Sequence, residues 1–389
     1  MSDFRFDEAV VRDLVRGARQ QAGDAAVEGA LARAAEGQGL DASEMASLWF
    51  AQNVDTERLY VTACAARAGR PMALETFSPL YLTNTCDATC RMCGMRRDNR
   101  ALRRETADLV EVDEQLQLLV GRGMRAVALL TGEYRGARRS WALQYVNAAL
   151  RATQRMRFAH VLINVGSMDA DEYGQLLDGV ERHEDGAVRP KLTMCTFQET
   201  YSRRLYAKFM GTDPDNPRAD YDRRVTNFDR ARRAGLRVAN PGILVGLNPD
   251  LTFELVALTL HARHLLAEGM EVYLSVPRLR RVAGSGRKLG AGDDEFVRLV
   301  SLLSLGLPTC KIVITTREPS PMQHRLVPIV TVLSAGSAAV VPYTPTGARF
   351  PLEASQFEVI DQRPFEAILA EHRRPDGGIV NYMPPSVRQ

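Results

Sequence analysis

Eight short apolar runs recur along the chain, and most of the intervals between them are long enough for a helix. In order they are ETFSPLYLTN (75–84), AVALLTGE (126–133), AHVLINVGSM (159–168), KLTMCTFQET (191–200), RVANPGILVGL (237–247), EVYLSVPRL (271–279), KIVITTREP (311–319) and VTVLSAGS (330–337). Runs of this kind read as strands buried on both faces, and alternation with amphipathic segments such as DEQLQLLVGRGM and NFDRARRAGL requires parallel pairing with helical crossovers. Eight such units predict an α/β fold of the closed (β/α)8 TIM type. The last interval is short, which makes the eighth unit the weakest member of the series.

Almost every run ends in polar or special residues: Asn84, Glu133, Ser167, Gln198 and Glu199, Arg278, Arg317 and Ser334. In a barrel these ends share one face, the face on which active sites are built. Residues 1–72 carry apolar positions at helical spacing in EAVVRDLVRGA and VEGALARAA, with a cap signal at DASEMASLWF, and predict a helical extension. The barrel is expected over 73–340, and the Pro- and Gly-rich tail 341–389, with one short helix near PFEAILAEH, is expected to cover an end of it.

Composition excludes several classes. The chain has 389 residues, 45% hydrophobic and 25% charged, and no apolar run approaches the ~18 residues of a membrane span. Its N-terminus, MSDFRFDEAVVRDLV, has no apolar core with a cleavage site, so a cytoplasmic location is expected. With 50 basic against 47 acidic residues the net charge is +3, too balanced for a nucleic-acid stripe. Lysine occurs only at 191, 208, 288 and 311, so the positive charge is nearly all arginine.

The first run is followed directly by TNTCDATCRMCGM (83–95), with Cys86, Cys90 and Cys93 inside eight residues. Cys64, Cys195 and Cys310 stand alone, so the six cysteines make no disulfide framework. A structural zinc site takes four protein ligands, and the next histidine in the chain is His160. Three thiolates on a four-iron cluster would leave one iron without a protein ligand. Zinc with a remote fourth ligand and an iron-sulfur cluster with an open iron both fit the count.

The Cys-x3-Cys-x2-Cys spacing after a barrel's first strand resembles the radical S-adenosylmethionine (SAM) superfamily. The resemblance implies a [4Fe-4S] cluster held by Cys86, Cys90 and Cys93, whose open iron chelates SAM and whose electron cleaves it to a 5′-deoxyadenosyl radical. Thr131-Gly132-Glu133 is similar to the family's second-strand motif for the methionine amino group. Met92 stands where an aromatic residue is usual beside the adenine, and Gly242–Gly246 resembles the glycine-bearing strand that passes it, with Gly246 at its end.

The strings FSPLYLTNTCDATCRMCGMRR, LLTGEY, NVGSM, TMCTFQETY, ADYDRRV, NPGILVGL, SVPRLR and TTREP, over about residues 70–365, resemble the aromatic amino acid lyase branch. Within it, MCGMRR and LTGEY are similar to the tryptophan lyases that form 3-methyl-2-indolic acid for thiopeptide-type antibiotics. That resemblance implies removal of an amino hydrogen from L-tryptophan, cleavage beside Cα, and return of the carboxyl fragment to the indole. It places Arg317 on the substrate carboxylate, and Ser334 and Tyr81 beside the amino acid. It places Gln198, Glu199 and Arg224 on SAM. A flavodoxin or ferredoxin is implied as electron donor, with the arginines at 91, 96, 97, 100, 103 and 104 as a dock. Leu82 and Thr85 are the positions expected to differ with substrate.

Each of these residues also has an ordinary reading. Arg317 can form a rim salt bridge with Glu318 or another acid; Arg278 can line the same mouth or form a rim salt bridge of its own; Ser334 and Tyr81 can be plain strand residues; Gln198, Glu199 and Arg224 can form a buried polar ladder. Cys195 and Cys310 read as core, and His261 and His264 as helix-packing residues. A tyrosine lyase giving p-cresol is the nearest alternative activity. A tyrosine enzyme that goes on to carbon monoxide and cyanide needs a second cysteine set toward the C-terminus, and only Cys310 lies beyond Cys195. A zinc-bound structural protein, or a barrel that senses redox state without turnover, are the alternatives of other classes.

Overall fold

In the computed structural model the eight runs become eight parallel strands that close on themselves. The structure describes residues 3–21, 23–70, 72–186, 188–285, 290–336, 340, 351–372 and 379–380. Four helices come first: α1 (Glu8–Gln21), α2 (Asp24–Ala35), α3 (Ala42–Phe50) and α4 (Thr56–Ala68). Asp41 caps α3 in a reciprocal box with Glu44, as DASEM leads one to expect.

The barrel then runs β1 (Leu74–Tyr81), α5 (Leu109–Gly121), β2 (Ala126–Leu130), α6 (Gly136–Arg155), β3 (His160–Asn164), α7 (Ala170–Leu176), β4 (Lys191–Cys195), α8 (Arg203–Met210), α9 (Tyr221–Val225) and α10 (Asn227–Arg233). It continues with β5 (Val238–Asn240), α11 (Leu251–Ala267), β6 (Glu271–Ser275), α12 (Asp293–Gly306), β7 (Lys311–Ile314), α13 (Ser320–Leu326) and β8 (Val332–Ser334). Neighbouring strands pair in sequence order, and β1 closes the ring against β2 (Tyr81 opposite Leu130) and β8 (Phe77 opposite Ser334). The strands stop short of the runs read from the sequence because the polar ends belong to the loops. Past β8 lie a 3-10 turn at Leu352–Ala354, α14 (Phe365–Glu371) and β9 (Ile379–Val380), which pairs with the start of β1. Residues 341–350, 373–378 and 381–389 of the tail lie outside the described residues.

Alternate strand residues point inward, and Phe77, Ala126, Ala128, Leu162, Cys195, Val238, Tyr273, Val313 and Val332 fill the interior. The N-terminal end is plugged by charge: the Tyr273 hydroxyl donates to Glu75 at 2.6 Å, Lys311 pairs with Glu75 and Glu271, and Lys191 with Glu271 at 2.6 Å. Two of the four lysines are thus spent closing the bottom, leaving the other end open for a site. The N-terminal helices share one hydrophobic core with the barrel, α4 packing on α12 and α3 on α11. Phe4 stacks on His261 at 4.3 Å, His261 accepts or donates a 2.7 Å bond with Tyr201, and His264 pairs with Asp229, so both histidines serve helix packing. Among the described residues no helix is long and apolar enough to cross a membrane.

Candidate active site

The loop after β1 carries the cysteines into a small pocket of about 400 Å³ lined by Cys86, Cys90, Cys93, Thr131, Gly132, Glu133, Arg218 and Gln356. Backbone N–H groups of Ala88 and Glu133 point at the Cys86 sulfur, at 3.4 and 3.3 Å. Gly132 is required by close approach: a Cβ there would collide with the Thr85 carbonyl and stand 2.7 Å from the Cys86 Cβ. Arg104 knits the loop by donating to the carbonyls of Asn84, Met95 and Arg96, and Asn84 ties it to Arg103 and Glu105.

Burial pushes the Cys86 thiol up to about 12, with Cys93 adding to the effect, and burial raises Cys90 and Cys93 as well. Three adjacent buried thiols stay neutral unless positive charge compensates them, which is what metal ligation supplies. Among the described residues no three His, Cys, Asp or Glu side chains converge on a position for a single ion. Cys86, Cys90 and Cys93 line this one pocket together, an arrangement that suits the ligands of three irons of a single cluster.

The pocket opens into a larger cavity of about 1210 Å³, counting its mouth, that occupies the C-terminal end of the barrel. Met92 and Cys93 enter it from the loop, and Tyr81, Glu199, Arg224, Arg317 and Ser334 line it. Glu133 sits between two arginines: Arg224 donates to it at 2.7 Å, and Arg218 lies 3.4 Å away while also pairing with Glu199 at 3.1 Å. Burial works to raise the Glu133 carboxyl, but Arg224 and Arg218 outweigh it and hold the group ionised below its usual range. Glu199 adopts φ +68, a left-handed conformation that a side-chain-bearing residue seldom takes, and is pinned there through its bonds with Gly242 and Leu244.

Arg317 follows the end of β7, is partly buried and lines the cavity. Its guanidinium stacks on the Phe357 ring at 3.4 Å and donates weakly to the Arg278 carbonyl at 3.3 Å. Among the described residues it has no carboxylate partner. Burial pulls its pKa down to about 10, against Tyr81, Glu199 and Cys93, so it remains charged at neutral pH. The Tyr81 hydroxyl donates to Gln356 at 2.8 Å, and burial raises its pKa, keeping it a neutral phenol. Ser334, 2% exposed and opposite Phe77 on β1, lines the same cavity.

Other expectations are corrected. Arg317 does not bridge to Glu318: that carboxylate is taken by Arg278, which also reaches Asp293, and by Arg280 at 3.1 Å. Arg278 is therefore a buried structural cation and does not line the mouth. Gln198 is buried and is not among the residues that line the cavity, whereas its neighbours Phe197 and Glu199 both line it. Gly246, at φ +94, does not line the cavity but lies against Gly290, where a Cβ on it would stand 3.3 Å from the Gly290 Cα, while Leu244 reaches the cavity. Leu82 and Thr85 are directed into the wall, Thr85 hydrogen-bonding Tyr134, so neither touches the space a substrate would fill. Cys195 faces the cavity and receives a 3.4 Å bond from Asn240; Cys310 is core.

Sequence reading missed Arg218, Arg280, Gln356 and Phe357. Arg218 had a signal, three arginines in PRADYDRR next to the cavity strand. Gln356 and Phe357 had none, since they sit in an irregular segment brought over the mouth by tertiary contacts alone.

No family model matches the chain. It is 25% identical over 263 residues to a 2-iminoacetate synthase of Salmonella typhimurium, covering 65% of this chain and 63% of that relative. It is 26% identical over 303 residues to the 2-iminoacetate synthase of Escherichia coli, covering 76% and 74%. The first match thus spans less than two thirds of its relative's length. Among solved structures, HydG, a maturase of the [FeFe]-hydrogenase, superposes with a TM-score of 0.77 at 25% identity, over 93% of this chain and 77% of that one. The methylornithine synthase PylB shares the fold, with a TM-score of 0.67 at 17% identity over 88% and 94%. By sequence and fold the chain is thus similar to 2-iminoacetate synthases and to HydG, in keeping with the radical SAM aromatic amino acid lyase branch that its cysteine spacing and strand ends resemble.

Proposed function

We propose that the chain is a radical SAM carbon-carbon lyase that converts L-tryptophan to 3-methyl-2-indolic acid. The observation that carries the lyase reading is Arg317: a charged guanidinium without a carboxylate partner among the described residues, at the rim of a largely apolar cavity that reaches the cysteine loop. Bound at Cys86, Cys90 and Cys93, a [4Fe-4S] cluster and SAM would supply a carbon radical able to remove a substrate hydrogen.

The chain's own residues account for the rest. Glu133, set by Arg224 and Arg218, presents an acceptor for an ammonium group beside the trio; Thr131 and Gly132 shape the same wall, and Met92 offers a polarizable contact for an adenine. Arg317 holds the substrate carboxylate by two parallel bonds, with Phe357 keeping its plane fixed. Tyr81 and Ser334 flank that carboxylate, while Phe77, Leu162, Phe197 and Leu279 give the aromatic ring an apolar wall and exclude water. Such positioning selects which bond beside Cα breaks. Arg91, Arg97 and Arg100 are exposed around the loop, where an acidic flavodoxin or ferredoxin would approach.

The spellings MCGMRR and LTGEY favour tryptophan. The 2-iminoacetate synthases among the relatives favour a second reading, tyrosine cleaved to 2-iminoacetate and p-cresol. Anaerobic incubation of reconstituted protein with SAM, dithionite and each aromatic amino acid separates them. Tryptophan should yield 5′-deoxyadenosine and 3-methyl-2-indolic acid; p-cresol from tyrosine supports the second reading, and no product from any aromatic amino acid overturns both.

A further inference from the structure

The segment 351–361 crosses the open end of the barrel and is stitched down on both sides. On the cysteine side, Arg103 N–H donates to the Glu353 carbonyl at 2.7 Å, the Asn84 amide to Ala354 at 3.2 Å, and Gly94 N–H to Gln356 at 2.8 Å. On the far side, Glu358 N–H donates to Arg281 at 2.8 Å and Asp361 N–H to Thr316 at 3.0 Å. Gly94 permits the crossing, because a Cβ there would stand 2.6 Å from the Gln356 carbonyl and 2.9 Å from that of Ser355.

Gln356 is thereby held over the junction of the cysteine pocket and the large cavity, and it lines both. Its Oε1 accepts from the Tyr81 hydroxyl at 2.8 Å, and its Nε2 donates to the Cys93 sulfur at 3.5 Å. Chemistry dictates this orientation of the amide: a ligating thiolate only accepts, so the NH2 end faces sulfur and the carbonyl end faces the phenol.

We propose that Gln356 is a positioning residue that tunes the iron-sulfur site through Cys93 while its carbonyl holds Tyr81 against the substrate cavity. The inference rests on reading the trio as a cluster site. A hydrogen bond to a cluster sulfur stabilises the more negative, reduced state over the oxidised one and so raises the reduction potential. Tyr81 and Cys93 are joined through one amide, which links the wall beside the substrate to the cluster ligand nearest it.

The test is an EPR-monitored redox titration of anaerobically reconstituted protein, with iron and sulfide counted first. Gln356→Leu, which removes the donor, should shift the reduction equilibrium toward the oxidised cluster by about three- to tenfold, tenfold being 59 mV for a one-electron couple. Tyr81→Phe, which spares the amide-sulfur bond, should leave the potential within about twofold of the original equilibrium. A fully loaded Gln356→Leu protein with unchanged potential overturns the proposal, as does an equal shift in both variants, which would report general loosening. Failure of Gln356→Leu to hold four irons while the parent holds them also overturns it, assigning the amide to retention and not tuning. A parent protein without iron and sulfide overturns the cluster reading itself.

Discussion

Arg317 keeps its charge in a poor environment for charge, stacked on Phe357 and facing an apolar cavity. A carboxylate ligand converts that cost into binding, and a charge-assisted two-point contact contributes about 3 kcal/mol. Arg317→Leu is accordingly expected to lower kcat/KM by about two orders of magnitude, chiefly through KM. Arg317→Lys, which keeps charge but loses the planar fork, should recover only part of it; steady-state product assays decide. Gly132 gives a second expectation. In Gly132→Ala the new methyl collides with the Thr85 carbonyl and the Cys86 Cβ, so iron and sulfide content after reconstitution should fall well below the parent's while far-UV circular dichroism is retained. At this scale the three cysteines were legible because their spacing is local. Gln198 and Glu199 were not separable, because which of two adjacent residues faces inward depends on the phase of β4 past Cys195, where the chain turns through the strained Glu199.

The loop that carries Glu199 is held by an element, not by its own sequence. Glu254 on α11 is buried and accepts bonds from Tyr201 N–H at 2.9 Å, Asn248 at 2.7 Å and the Thr200 hydroxyl at 2.5 Å. Burial raises its pKa from 4.5 to about 7 despite these donors. A carboxyl whose folded pKa lies above its unfolded value adds stability that is complete below pH 4.5 and is lost as pH rises to about 7. We therefore expect unfolding free energy to decline over that window by on the order of 2 kcal/mol from this group, and the decline to be absent in Glu254→Gln, measured by urea denaturation at several pH values. The β7 end makes a second case. Glu318 neutralises Arg278 and Arg280 in the wall; Glu318→Gln leaves Arg280 without this carboxylate and Arg278 with only the exposed Asp293, and should cost about 3 kcal/mol in the same assay. The eight strands were legible because parallel barrel strands are apolar throughout. The ion pairs at their ends were not, since Arg278, Glu318 and Asp293 come from three separate elements.

Over the whole molecule, the N-terminal helices do not form a separate body. Phe4, Val11, Met45, Leu48 and Leu59 belong to the same buried core as the α11 and α12 residues they cover. Deleting residues 1–72 would expose that face, so a barrel expressed without them should be insoluble or molten, and the full chain should unfold in one calorimetric transition. Two separate transitions would contradict this. From sequence alone the chain determined what is set by neighbours along it: the period of β and α, the three-thiol loop, and polar strand ends that a barrel collects on one face. Tertiary structure alone decided what is set by distance in space. It chose Arg278 for a structural ion pair and left Arg317 for the cavity, added Arg218 beside Glu133, and laid Gln356 and Phe357 across the mouth. Those choices rest on which side chains compete for the same partners once the chain has closed, and a linear pattern carries no record of that competition.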